Sequence, residues 1–330
     1  MRGLGAGAAA TAAALFAGCG PKAANTDGLI PFRIGGSAVI NPDAPPAAEL
    51  QPGGVLGYAI HLGVFEAELR KAGFSYEGFA GYPRTAAALL GLSSGQVQVA
   101  STGDSPAVLS RARGDDQRAI WVGAPTGDIW LVGRPDGPTS LKDLAGGKLG
   151  VLFGSTAHYI FRSAAEKEGV ANVRFAQLLP SQALPALQRG DVDAYAAATA
   201  TTAELWRRKH GLPVIARIGE AHPELQGISV ITAREDFLNA NPTFAAAFWR
   251  GLKGGIDAIR NDPEAYYRWV SNSTGTPIEI VRATADERYA DTPFPRDGVE
   301  GLQRLLDFQV RTGLANSTFR VADWIVGPVE

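Results

Sequence analysis

Along this 330-residue chain the spacing of apolar positions switches repeatedly between strand-like and helix-like periods. Short apolar or alternating runs predict strands at 32–34, 74–79, 97–101, 118–122, 128–132, 148–153, 173–178, 213–217 and 228–232, with another after the turn at 190. Apolar residues three and four apart predict helices over 56–71, 84–92, 180–189 and 202–210, and others opening near Ala107 and Ala157. Gly63 falls in the middle of the first of these and is expected to break it. From Arg234 onward the pattern is mostly helical, over 242–259, 263–270, 277–283 and 297–312. Strands alternating with helices argue for the α/β class, with parallel sheets covered on both faces.

Two junctions stand out. Val151-Leu152-Phe153 runs into Gly154-Ser155-Thr156, and a helix opens through Ala157 and His158. Gln96 to Ala100 runs into Ser101-Thr102-Gly103-Asp104-Ser105-Pro106, and a second helix follows. A strand that ends in a hydroxylated turn and opens a helix aims free N–H groups, and the positive end of the helix dipole, at one point. Two such turns facing each other would line a cleft suited to an anion, gripped by hydroxyls and N–H groups rather than by a salt bridge. The plain alternative for each is a Ser, Thr or Asp helix cap, with Asp104 a candidate N-cap. Pro106 suits a first helical turn. His158, at a helix start, is expected to stay neutral, either touching the ligand or with its ring against solvent or neighbours. A long loop rich in proline and glycine, residues 41–54, has the length of a lid or of a surface insertion.

Composition narrows the function. With 45% apolar and 19% charged residues and a net charge of −2, nothing favours nucleic acid as a partner. The four histidines show no metal-binding spacing, and no metal or cofactor is expected. The first 18 residues read as a leader: Arg2, a small apolar stretch, then Leu15-Phe16-Ala17-Gly18-Cys19, similar to a bacterial lipobox. Phe16 departs from the usual aliphatic residue there. Cys19 is the only cysteine, so an intrachain disulfide is impossible and the lipidation of Cys19 is the favoured role. Residues 19–28 would then be a flexible tether.

The motifs Ser-Thr-Gly-Asp-Ser-Pro at 101–106, Ser-Leu-Lys-Asp-Leu-Ala-Gly-Gly-Lys at 140–148, Gly-Ser-Thr-Ala-His-Tyr at 154–159 and Arg-Gly-Asp-Val-Asp-Ala-Tyr at 189–195 occur here in one order. In that order they resemble the aliphatic sulfonate, taurine and nitrate substrate-binding proteins of ATP-binding-cassette importers, over about residues 29–326. The resemblance implies a two-lobed periplasmic-binding-protein-like fold (type II) with two crossover segments. Lobe one would be 29–127 and 228–330, lobe two 128–227, and the helical tail would pack back on lobe one. It further implies ligand contacts from Gly36, Ser37, Ser101, Thr102, Gly103 and Asp104 on one wall. Gly154, Ser155, Thr156, Ala157, His158 and Thr199 would supply the other. One departure concerns 198–201, which reads Ala-Thr-Ala-Thr where sulfonate binders of this type carry Trp-Asp-Pro-Tyr. That removes an aromatic wall and a carboxylate, and argues against taurine.

The expected protein is therefore a lipid-anchored monomer in the periplasm or on the outer face of the cell membrane. It would capture a small anionic solute, an aliphatic sulfonate, for a permease and its ATPase. The alternatives are a binder of nitrate or of a neutral heterocyclic vitamin precursor, a sensor module, or an enzyme on the same fold such as a sulfinate-cleaving hydrolase. No nucleophile-elbow Gly-x-Ser-x-Gly surrounds Ser155, and the sole cysteine lies in the leader, so no catalytic residue is expected.

Overall fold

The computed structural model describes residues 28–37, 51–82 and 84–329. Cys19 with its expected lipid, the leader, nearly all of the tether and most of the proline-rich loop lie outside the described residues. Among the described residues ten strands form two sheets of five. The chain begins with β1 Ile30–Ser37, α1 Gly54–His61, α2 Val64–Lys71, β2 Phe74–Tyr82, α3 Thr85–Ser93, β3 Val99–Gly103, α4 Asp104–Ala112 and β4 Gln117–Val122. It crosses to the second lobe for β5 Trp130–Gly133, β6 Lys148–Val151, α5 Thr156–Lys167, β7 Arg174–Gln177, α6 Pro180–Arg189, β8 Ala194–Ala197, α7 Ala200–His210, β9 Val214–Arg217 and the short α8 Ile218–Ala221. It returns for β10 Ser229–Arg234 and a tail of α9 Glu235–Ala240, α10 Phe244–Asn261, α11 Pro263–Thr274, α12 Ile278–Thr284, α13 Arg296–Arg311 and α14 Val321–Trp324. This is the expected two-lobed fold with two crossovers. The expected helix over 56–71 is two helices, divided where Gly63 takes φ 72°.

The sheets differ from the expectation in one respect: they are mixed, not parallel. The strand orders are β2-β1-β3-β10-β4 and β7-β6-β8-β5-β9. β1 runs parallel to β2 and β3, whereas β10 runs antiparallel to β3 and β4. In the second sheet β6 is parallel to β7 and β8, and β5 is antiparallel to β8 and β9. The reason lies in how each strand is reached. β5 and β10 are the first strands after a crossing, so they enter their sheets from the waist. Strands fed by a helix on their own lobe enter from the far side.

The two crossings touch. Gly127 and Gly227 form an antiparallel bridge in which each N–H donates to the other's carbonyl, at 2.9 and 2.7 Å. Packing continues across the waist. Leu109 of α4, Leu131 of β5, Phe161 of α5 and Leu302 of α13 belong to one continuous buried cluster. The outer face of the first sheet has its own core, where Phe32 meets Phe244 and Phe65 meets Phe248 edge to face, both at 5.0 Å. The tail also departs from expectation. α10 covers α1 and α2, but α12 lies against α7 of the second lobe. There Thr201 and Thr284 hydroxyls meet at 2.8 Å, and Arg311 of α13 pairs with Glu166 of α5 at 2.9 Å. The tail therefore straddles the lobes.

The waist leaves no room for a side chain at Gly227. A Cβ there would stand 2.9 Å from Thr156 Cγ2 and 3.3 Å from the Gly127 carbonyl oxygen. Gly227→Val is expected to cost about 1–3 kcal/mol, the usual penalty for overpacking. Urea denaturation checks this. An unchanged midpoint would mean that the crossings separate freely.

Candidate functional site

The two hydroxylated turns do face each other, but their groups are largely engaged with the protein itself. Ser155 is the N-cap of α5: its Oγ accepts the His158 N–H at 3.3 Å. Thr199 caps α7 in the same way, accepting from the Thr202 N–H at 3.2 Å. Thr102 Oγ1 donates to the Val230 carbonyl on β10 at 3.3 Å. Ala157 is buried in the core that spans the lobes. Gly154 takes φ 74°, and its carbonyl accepts from Ser105 Oγ across the waist at 2.9 Å. Gly36 pairs in register with Ser101, and Ser37 is exposed beside it at the end of β1.

His158 packs against neighbours, the second of its two expected placements. Its ring stacks on Phe153 at 5.4 Å and meets Phe175 edge-on at 5.3 Å. Burial, with Arg162 nearby, pulls its pKa down to about 4, so the ring is neutral. Nδ1 accepts the Gly154 N–H at 3.3 Å, which places the proton on Nε2.

Asp104 is the centre of the facing turns. It is not the N-cap of α4; Gly103 holds that position and Asp104 is the first helical residue. Its side chain is 1% exposed. Oδ1 accepts the Thr156 hydroxyl from the other lobe and the N–H of Ser105, and Oδ2 accepts the Ile228 N–H of the return crossing at 2.9 Å. The start of α5 thus receives an anion from the protein itself. Burial raises the Asp104 pKa to about 6, and the three donors restrain the rise.

A cavity of about 140 Å³ opens at the carboxyl end of β3, beside the first crossing. Its floor includes Ser101, Thr126 and Ser229, and Trp121 lies among its walls. Gly53 and Gly54 bring in the start of α1, which has no side-chain cap and no acidic residue in its first turn. Its leading N–H groups have no intrahelical partners, and among the described residues no side chain caps them. The tail closes the rim with Asp286, Arg288 and Tyr289. Arg288 grips Asp286 through Nε at 2.9 Å and reaches Gln226 Oε1 at 3.3 Å. A larger cavity, about 390 Å³, lies under α6 and includes no residue of either crossing. Strand carboxyl ends are where open α/β sheets hold ligands, which favours the smaller one.

Of the expected contacts only Ser101 lines this cavity. Gly103, Asp104 and Thr156 come together beside it as a lobe-to-lobe contact. Thr126 and Ser229 were within reach of sequence reasoning, since both flank the expected crossings. Asp286, Arg288 and Tyr289 were not, because they stand in an irregular stretch between α12 and α13 with no periodicity or motif.

A raised carboxyl pKa makes the fold relatively more stable in acid. Below about 4 the group is protonated both folded and unfolded. As pH rises toward 6 the unfolded chain ionises first, and stability drops. The drop is on the order of 3 kcal/mol, since a pKa unit is about 1.4 kcal/mol. Unfolding free energies of the wild type and Asp104→Asn from pH 3.5 to 7.5 isolate this group. Their difference is expected to move against the wild type by that amount over the window, and parallel curves would contradict it.

Comparison with known proteins agrees with this architecture. A protein of Escherichia coli (strain K12) named for binding aliphatic sulfonates is 30% identical over 224 residues, 65% of this chain and 67% of its own. The taurine-binding periplasmic protein of the same organism is 28% identical over 170 residues, 51% of each chain. Among solved structures, the alkanesulfonate-binding protein SsuA from Xanthomonas axonopodis pv. citri, bound to MOPS, superposes with a TM-score of 0.74. It shares 19% identity over 90% of this chain and 98% of its own, so the likeness is one of fold. The desulfurization enzyme DSZB has the same fold at a TM-score of 0.64 and 16% identity over 90% of this chain and 96% of its own. The NMT1/THI5-like family profile matches residues 82–266, more than half of the chain and including both crossings, and the chain belongs to that family.

Proposed function

We propose that this chain is the extracytoplasmic substrate-binding component of an ATP-binding-cassette importer, and that it captures a small solute bearing a sulfonate or similar oxyanion. The observation that carries this reading is the cavity at the waist. Three hydroxyl residues and the start of α1, which no described side chain caps, converge there beside the carboxyl end of β3. Hydroxyls and backbone N–H groups bind a tetrahedral oxyanion without requiring a full counter-charge. At about 140 Å³ the cavity is well below the ~300–1,000 Å³ of drug-sized pockets, which suits a small solute. The two relatives named for sulfonates and taurine point to the same chemistry.

The remaining parts of the reading follow from that role. The partners are a permease and its ATPase, and the protein works as a monomer. Cys19 carries a lipid that holds it in the periplasm or at the outer face of the cell membrane. Ligand contacts come from Ser101, Thr126, Ser229 and the start of α1, with the tail at the rim. The binding reading is preferred because the pocket brings together hydroxyls and backbone N–H groups suited to hold an oxyanion, and the two sequence relatives above are named as binding proteins.

Calorimetric titration with methanesulfonate, ethanesulfonate, taurine, nitrate and a neutral pyrimidine tests the ligand class. Sulfonates are expected to bind, and Ser101→Val to weaken them roughly tenfold or more by removing a hydroxyl and narrowing the floor. Binding of the pyrimidine alone would overturn the reading. The anchor is tested by mass spectrometry of membrane-extracted protein. A mature chain beginning at an acylated Cys19 is expected, and one retaining Arg2 would contradict it.

A further inference from the structure

The cavity holds a charged pair that the hydroxyl-and-amide picture of anion capture leaves unused. Among the described residues lining it, Arg288 is the one cation and Asp286 the one acid. They are two residues apart and locked together. Arg288 Nε lies 2.9 and 3.1 Å from the two carboxylate oxygens of Asp286, and Nη2 faces Oδ2 as well. Arg288 remains 63% exposed and Asp286 29%. A guanidinium in this state is held in place but not desolvated. Its planar fork is matched to carboxylate, sulfonate and phosphate oxygens alike.

We propose that Arg288 determines the charge specificity of the cleft by exchanging partners: it leaves Asp286 and takes the anionic head of the solute. Asp286 is then an internal competitor that keeps the cation oriented in the empty cleft and sets a threshold for weak anions. This rests on the waist cavity being the solute site. It adds what that reading lacks, a reason for selecting a full negative charge over a neutral hydrogen-bonding ligand.

The surroundings favour an exchange over a static brace. The pair stands on the irregular stretch between α12 and α13, where no helix or strand fixes the backbone. Arg288 also donates to Gln226 at 3.3 Å, and Gln226 immediately precedes the bridged Gly227 of the return crossing. Just before the pair, Thr284 hydrogen-bonds Thr201 at the start of α7. A shift of Arg288 onto a ligand is therefore felt at the crossing and at the second lobe. Exposed ion pairs hold together weakly, generally by under about 1 kcal/mol. A solute with a well-formed charged hydrogen bond, worth roughly 1.5–3 kcal/mol, outcompetes one.

The test depends on two variants moving in opposite directions. Titration uses ethanesulfonate as the probe, with circular dichroism confirming the fold of each protein. Arg288→Gln is expected to weaken binding roughly tenfold to a hundredfold, with Arg288→Lys recovering part of the loss. Asp286→Asn is expected to tighten binding severalfold, because the competitor is gone while the cation remains. A purely structural pair would lose affinity in both variants, and that result overturns the exchange. So does Arg288→Gln binding as tightly as the wild type while the wild type binds sulfonates. If the wild type binds no sulfonate at all, the site reading itself fails, and the exchange with it.

Discussion

The Asp104 carboxylate is the contact on which the relation between the lobes depends. It is enclosed at the first turn of α4, and its three donors come from three places: Ser105 beside it, Thr156 on the other lobe and Ile228 on the returning chain. Enclosing a carboxylate is costly, and the donors that meet both oxygens offset that cost only in part, as the raised pKa shows. The partners cannot be separated without stranding a charge. The position of α5 relative to α4 is therefore fixed by electrostatics as well as by the apolar cluster that runs through Leu109, Phe161 and Leu302. A device of this kind gives geometric specificity more than stability. An apolar contact would tolerate sliding, whereas a carboxylate with directional donors does not.

That contact also explains why, apart from Ser101, the most conspicuous sequence motifs are not the lining of the cavity. Gly-Ser-Thr-Ala-His at 154–158 and Ser-Thr-Gly-Asp at 101–104 both read as anion-binding turns, and chemically they are. The anion that Thr156 receives is Asp104. Sequence periodicity made the elements legible, because burial of one face imposes a period whatever the partner. It could not reveal that the two turns satisfy each other, since that follows from the crossing of Gly127 over Gly227. The expectation of parallel sheets failed for a related reason. A strand's direction depends on whether the chain arrives from its own lobe or from the waist, and β5 and β10 carry no residue that records this. The family resemblance supplied the two crossovers, which spacing alone does not encode.

The tail shows the same limit more sharply. Its helices were readable from their apolar stripes, and α13 buries Val299, Leu302, Leu305 and Leu306 on one face. The stretch between α12 and α13 has no such stripe, yet it brings Asp286, Arg288 and Tyr289 to the cavity rim. Residues that serve a site through an irregular segment are held by single polar contacts, here Arg288 to Asp286 and to Gln226. They leave no periodic trace. The segment 198–201, Ala-Thr-Ala-Thr, made the cleft look short of charge. The charged residues that line the cavity, Asp286 and Arg288, come from a different element.

That displacement has a physical consequence for how the cleft responds to a ligand. A charged group carried by the lobe-two turn at 198–201 would meet the solute only as the lobes close. Arg288 is carried by the tail, which already touches both lobes through Thr284 and Arg311. A solute that engages this guanidinium therefore acts on the element that spans the waist, and need not pull the two sheets together by itself. The Asp104 contact beside the cavity limits how far the α4 and α5 starts can part.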